Sequence, residues 1–248
     1  MTARADRRFV AGLLILVPVA FSVCFTLLQS WFEYPDILRQ PTADILTKFQ
    51  AEGDSLVAVW YVLTITALLF IPIAVLLRRT LAEREAPALL QVATAFGVTA
   101  GLTQALGFLR WPFLVPHLAS VYLAPETSEA QRAATAAVFE AFHRYAGMGV
   151  GEHLGYLSTS VWTVGVALIM WRSSQFGRVL GLSGAVLGVG IGFGLLEPAG
   201  WELAGTINAF SYLAWAAWLV AVGLVILFRH EPAAQSATAP MTAPASLA

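Results

Sequence analysis

The stretch LVAVWYVLTITALLFIPIAVLL, residues 56 to 77, decides the fold class. It contains no Asp, Glu, Lys or Arg, and at about 1.5 Å per residue a helix of this length crosses a ~30 Å hydrocarbon layer. Five further apolar runs are long enough to do the same. They cover residues 9–31, 88–109, 146–171, 179–196 and 206–228. The sequence therefore predicts an all-α membrane protein, a compact bundle of six transmembrane helices.

Composition supports a lipid environment and excludes several classes of function. Hydrophobic residues make up 58% of the chain and charged residues 12%, against about 25% charged residues in soluble domains. The net charge of −1 gives no bulk attraction to nucleic acid, so we expect none as a partner. Cys24 is the only cysteine, which excludes a disulfide within the chain and a cysteine-based metal site.

Charge placement predicts the orientation and the domain limits. Nine of the fourteen basic residues flank one end of the predicted spans, and short basic loops are retained in the cytoplasm. We expect both termini to be cytoplasmic, residues 1–230 to form the transmembrane domain, and residues 231–248, rich in Ala, Pro, Ser and Thr, to be a disordered tail.

Two capping signals predict helices outside the spans. Thr42 can cap a short helix that places Ile45, Leu46 and Phe49 on one face and ends at Gly53. This helix should lie over the bundle or on the membrane surface. A second signal, Ser128 followed three residues later by Gln131, predicts a helical extension of the fourth span.

The segment LRWPFLVPHLA, residues 109–119, has two prolines that we expect to break the helix. It is interpreted as a re-entrant or lid segment, or as a loop that dips its apolar side chains into the headgroup region. Aromatic residues near this level of the spans are typical of interfacial anchors. They are Trp31, Tyr34, Trp60, Tyr61, Trp111 and Trp201.

Glycine at every fourth position predicts close helix packing, because small residues let backbones approach one another in lipid. The pattern occurs in the third, fourth and fifth spans. Its members are Gly97 and Gly101, then Gly147, Gly151 and Gly155, then Gly184, Gly188 and Gly192.

Five ionisable residues collect at the predicted external end of the bundle: Arg110, His143, Glu152, His153 and Glu197. Ionisable groups at membrane depth are costly and by default mark a pathway or a binding site. We interpret them as lining an outward-facing polar pocket that binds or moves a small amphiphilic or anionic molecule. Arg110 is expected within ion-pair reach of Glu152 or Glu197.

Two other functions fit the same residues. A membrane-embedded enzyme would use Glu152 or His153 as general acid or base, whereas a non-catalytic accessory subunit needs no pocket. A metal site is not predicted, because at about 100° per residue His143 and Glu152 fall on opposite faces of a helix, and HExxH is absent. The sequence leaves both the cofactor, if there is one, and the oligomeric state undetermined.

Four sequence segments resemble those of a known protein family. They are FEYPDILRQP (32–41), GFLRWPFLVPHLA (107–119), FEAFHRYAGMGVGEHLGYL (139–157) and LLEPAG (195–200). Together they resemble a group of bacterial multi-pass membrane proteins classed as domain of unknown function 4386. The resemblance covers nearly the whole chain except the tail and implies a six-helix protein of the bacterial cytoplasmic membrane. It implies no activity, substrate or site residue.

Overall fold

The computed structural model describes residues 3–81, 87–173 and 175–228, and only the backbone of residues 3 and 4. This part of the chain is helical and contains no strand. The elements are α1 (Ala3–Phe32), α2 (Thr42–Leu81), α3 (Pro87–Phe113), α4 (Val115–Leu123), α5 (Glu129–Phe142), a π-helix (His143–Leu154), α6 (Gly155–Trp171), α7 (Gly177–Gly192) and α8 (Leu203–Phe228), with 3-10 turns at Asp36–Arg39 and Phe193–Ala199.

Six helical stretches of the described chain are long and apolar enough to cross a membrane, which confirms the predicted fold class. They pack as a closed ring in the order α1, α2, α3, α6, α7, α8, with α8 returning to α1. The predicted disordered tail, 231–248, lies outside the described residues.

The end of the ring that carries residues 33–41, called the rim here, is covered by helical segments outside the spans. α2 begins at Thr42 and is interrupted at Gly53, where φ is +63°; this left-handed conformation is one that glycine adopts without strain. Ile45, Leu46 and Phe49 are buried, so the helix 42–52 lies over the bundle. The Ser128–Gln131 capping box is present, and α5 leads through the π-helix into α6 as predicted.

The bundle has two apolar cores. The core away from the rim is built around Trp162, with Phe70 edge-on at 4.8 Å between ring centroids. The rim core contains Trp60 and Trp111, stacked at 4.8 Å, and both are fully buried. The prediction that these two tryptophans are interfacial anchors is therefore wrong, because the helix 42–52, α4 and α5 cover them.

The segment 109–119 is helical and not a loop. α3 continues through Pro112 to Phe113, and α4 starts again at Val115 with Pro116 in its first turn. Proline is tolerated there because the first N–H groups of a helix have no partner inside it.

Close glycine packing is confirmed in all three spans for which it was predicted, and in the fourth a methyl group added at Gly151 would lie 2.9 Å from the Gly107 Cα. A methyl group added at Gly97 would lie 2.6 Å from the Ala74 side chain of α2, and one at Gly184 would lie 2.6 Å from Trp218 of α8. These glycines therefore allow neighbouring spans to approach more closely than alanine would permit.

Candidate functional site

A cavity of about 390 Å³ lies inside the rim half of the ring. Its walls come from α1, α3, the π-helix, the start of α6 and α8, and Tyr34 and Pro35 contribute from the connection between α1 and α2. Most of the wall is apolar, but two charged residues, Arg110 and Glu152, line it. An apolar pocket with a few convergent polar groups is the usual form of a small-molecule site.

Arg110 reaches this cavity from the last turn of α3. Its residue surface is only 8% exposed, and one guanidinium nitrogen donates to the Gly107 carbonyl oxygen of its own helix. The guanidinium lies flat against Gly147, where an added methyl group would come within 2.6 Å of Cζ. The absence of a side chain at Gly147 thus makes the space that Arg110 occupies.

Arg110 and Glu152 line the same cavity, but Arg110 forms no ion pair with Glu152 or Glu197. No carboxylate of a described residue lies within 4.0 Å of the guanidinium, and Nε is buried without a hydrogen-bond partner. Its partners are the Gly107 carbonyl oxygen and the Trp111 ring, whose centroid lies 5.0 Å from Cζ. Neither carries a negative charge, so the burial of the guanidinium stays costly.

Arg39 takes the place that was predicted for Arg110. Its guanidinium lies 3.5 Å from the Glu152 carboxylate and 3.6 Å from the Glu197 carboxylate. The 3-10 turn Asp36–Arg39 carries it over the rim, above the π-helix and the 3-10 turn that follows α7. This shared pair joins three segments at the mouth of the bundle.

The other three predicted residues do not line the cavity. Glu197 is half-buried beside Gly205, and His153 is half-buried in the π-helix. His143 is buried in the rim core, where Nε2 donates to the Leu38 carbonyl oxygen at 3.0 Å and the ring stacks on Phe139. The structure brings together Arg110 and Glu152 of the five, with Glu197 linked to Glu152 through Arg39.

The argument against a metal site assumed α-helical geometry between His143 and Glu152, whereas the structure has a π-helix there. A π-helix closes its hydrogen bonds from i to i+5, so the spacing of about 100° per residue does not hold across 143–154. His143 contacts Leu38 and Glu152 contacts Arg39, so both side chains face the same 3-10 turn. Even so, no group of three His, Cys, Asp or Glu side chains within the described ranges could hold a metal ion.

Neutral polar groups complete the cavity wall. Asn208 donates to the Ile191 carbonyl oxygen at 2.7 Å, and Gln104 donates to the Thr159 hydroxyl at 3.0 Å. Burial, and then the nearby Glu152 carboxylate, raise the pKa of the Tyr34 phenol well above its ordinary value. The phenol stays protonated at neutral pH and can act as a hydrogen-bond donor.

Sequence reasoning missed Arg39, Tyr34 and Gln104 as parts of the site. Arg39 and Tyr34 lie in the FEYPDILRQP phrase, outside every apolar run, so no argument from membrane depth reaches them. Gln104 is a polar residue inside the third span, a signal that could have been used.

Comparison with known proteins gives the family. The family described as "Domain of unknown function (DUF4386)" matches residues 10–223. The chain belongs to this family. The match includes at least part of each of the six spans and every residue of the candidate site, so the cavity lies wholly inside the family domain. Searches of curated proteins and of solved structures return no match. The family match and the six membrane-length helices together identify a multi-pass membrane protein that contains this domain of unknown function.

Proposed function

We propose that this protein binds a small anionic amphiphile in the rim cavity, with the anionic group held at Arg110. The observation that carries the proposal is a guanidinium more than nine-tenths buried, without a carboxylate partner, on the wall of an otherwise apolar cavity. A carboxylate or phosphate in the cavity would supply negative charge to the guanidinium that no side chain of the described residues supplies.

The second charged residue of the wall does not oppose this assignment. Glu152 is ion-paired at the rim, where the Arg39 guanidinium lies 3.5 Å from it and 3.6 Å from Glu197. Arg110 forms no ion pair with a carboxylate of the described residues. We therefore place the anionic end of the ligand deep in the cavity, at Arg110, and away from the Arg39 pair.

The arrangement favours binding over acid–base catalysis. An acid–base pair needs two titratable groups that both reach the reacting molecule. Glu152 lines the cavity but is ion-paired, and His153 does not line it. A purely structural subunit would also leave unexplained why an arginine without a carboxylate partner among the described residues is buried beside a cavity.

Charge selectivity tests the proposal. Purified protein in nanodiscs receives hexadecanoate, hexadecanol or hexadecyltrimethylammonium, and native mass spectrometry measures the bound fraction of each. The three molecules have the same hexadecyl hydrocarbon chain, so they partition into the bilayer to a similar extent. A difference in bound fraction then reflects the head group. A charge-assisted hydrogen bond contributes about 1.5–3 kcal/mol, so we expect hexadecanoate to bind at least about tenfold more tightly than the alcohol. Equal binding of all three, or preference for the cation, would contradict the proposal.

We further propose that the protein lies in the bacterial cytoplasmic membrane with both termini inside, so that the rim faces outward. The basis is the excess of basic residues at the opposite end. In a Cys24→Ala background, a membrane-impermeant thiol reagent added to intact cells should label Glu126→Cys and should not label Arg172→Cys. Both positions are exposed and lie between helices. Labelling of the second position alone would reverse the orientation.

A further inference from the structure

A shallow groove of about 510 Å³ runs between α1 and α8 on the outside of the ring. On α1 it extends from Pro18 to Leu27, and on α8 from Leu213 to Val220. Away from the rim the two helices are in direct contact, since Gly223 lies against Ala11, Leu14 and Ile15. The groove therefore marks the part of the ring where α1 and α8 stop sealing its interior.

The groove adjoins the cavity. Ser22, Thr26, Leu213 and Ala216 line both. A ligand in the cavity thus lies next to an apolar surface on the outside of the ring, between the first and last spans. The rim, by contrast, is crossed by the Arg39 turn and its two carboxylates.

The groove is chemically apolar even where its residues carry hydroxyl groups. The Ser22 hydroxyl donates to the Pro18 carbonyl oxygen at 2.8 Å, and the Thr26 hydroxyl donates to the Ser22 carbonyl oxygen at 2.9 Å. Both donors are therefore satisfied inside α1. What remains on the wall is aliphatic surface, which suits a hydrocarbon chain and offers no partner for a polar one.

From this shared wall we infer that the ligand is a membrane-resident, long-chain amphiphile whose acyl chain lies in the α1–α8 groove while its anionic head group lies at Arg110. This inference rests on the proposed function and adds the ligand class and its route, which is lateral, from the bilayer. One molecule then spans both features: its charge meets a guanidinium that has no carboxylate partner among the described residues, and its chain occupies the adjoining apolar surface. Entry from the bilayer also spares the chain a passage through water.

Photolabelling in nanodiscs tests the inference. The probe is hexadecanoic acid with a diazirine near the middle of its chain, and labelled peptides are mapped by mass spectrometry. We expect saturable labels on residues 18–27 of α1 and 213–220 of α8, and we expect them to depend on Arg110. A large side chain in the groove, Ala217→Trp, should reduce these labels at least about fivefold.

The matched control is Ala214→Trp. Ala214 is an exposed alanine one turn away on the same helix that lines neither the groove nor the cavity, so its labels should match wild type. Because the label maps of wild type and Arg110→Gln need no tryptophan variant, the test stands even if a tryptophan variant fails to fold.

Two results would overturn the inference, and they differ in what they imply for the proposed function. In the first, saturable labels depend on Arg110 but fall outside both helix segments and are unchanged in Ala217→Trp. The cavity would then still bind the anionic group, but the groove would not bind the chain. In the second, no saturable label depends on Arg110, which would contradict both the chain site in the groove and the proposed anion site in the cavity.

Discussion

Replacing Arg110 with glutamine should weaken hexadecanoate binding about 10- to 100-fold. The variant removes the charge but keeps an amide that can donate to the Gly107 carbonyl oxygen. A hydrogen bond to a charged group contributes about 1.5–3 kcal/mol, and 1.4 kcal/mol corresponds to a tenfold change. Native mass spectrometry in nanodiscs gives the affinity, with hexadecanol binding expected to be unchanged.

The same variant separates a binding role from a structural one. Because Arg110 has no carboxylate partner among the described residues, its removal relieves an uncompensated buried charge in the ligand-free protein. We expect the ligand-free unfolding midpoint of Arg110→Gln to equal or exceed that of wild type. Arg144→Gln is the matched control, since Arg144 is exposed, pairs with Glu140 at 3.7 Å and does not line the cavity. A large loss of ligand-free stability with unchanged hexadecanoate binding would make Arg110 a structural residue.

The second large effect is expected at the closest approach of α3 and the π-helix. A methyl group added at Gly151 would lie 2.9 Å from the Gly107 Cα, and one added at Gly107 would lie 2.7 Å from the Gly151 Cα. Both contacts are with backbone, which cannot rotate away. Gly151→Ala must push the two helices apart, and overpacking of this kind costs about 1–3 kcal/mol. We expect a lower unfolding midpoint in nanodiscs and, because both glycines line the cavity, weaker hexadecanoate binding.

Gly149 provides the control on the same helix. A methyl group there has only the Arg144 carbonyl oxygen near it, at 3.6 Å, an ordinary contact. Gly149→Ala should leave the midpoint unchanged or raise it, since alanine restricts the unfolded chain by about 0.4–1 kcal/mol. Equal effects of the two substitutions would show that the Gly107–Gly151 contact does not limit packing.

Run length and capping residues were enough to predict most of the fold. An apolar run must be about twenty residues long to span lipid, so its presence determines helix and span together. The Gly53 break and the Ser128–Gln131 box are local rules that act through backbone conformation and a single hydrogen bond. These features need no knowledge of the rest of the chain.

The misjudged features depend on contacts that are distant in sequence. Trp60 and Trp111 look like boundary anchors in sequence, but the helix 42–52 covers them. The sequence predicts Arg110 and Glu152 at similar depth in the bundle, and both line the cavity. Depth alone does not specify which side chains face each other. Arg39 meets Glu152 because the turn 36–39 crosses the rim, and the π-helix turns Glu152 toward it. Neither feature follows from a period of 3.6 residues per turn.

The central claim is that the rim cavity holds the anionic end of an amphiphile at Arg110. The most direct test is the position of hexadecanoate brominated near mid-chain, located by anomalous scattering in crystals grown from a lipid phase. The account predicts a carboxylate oxygen about 2.7–2.9 Å from an Arg110 nitrogen, with the bromine signal between α1 and α8. Bromine found only on the outer, lipid-facing surface of other helices, with no carboxylate at Arg110, would contradict it.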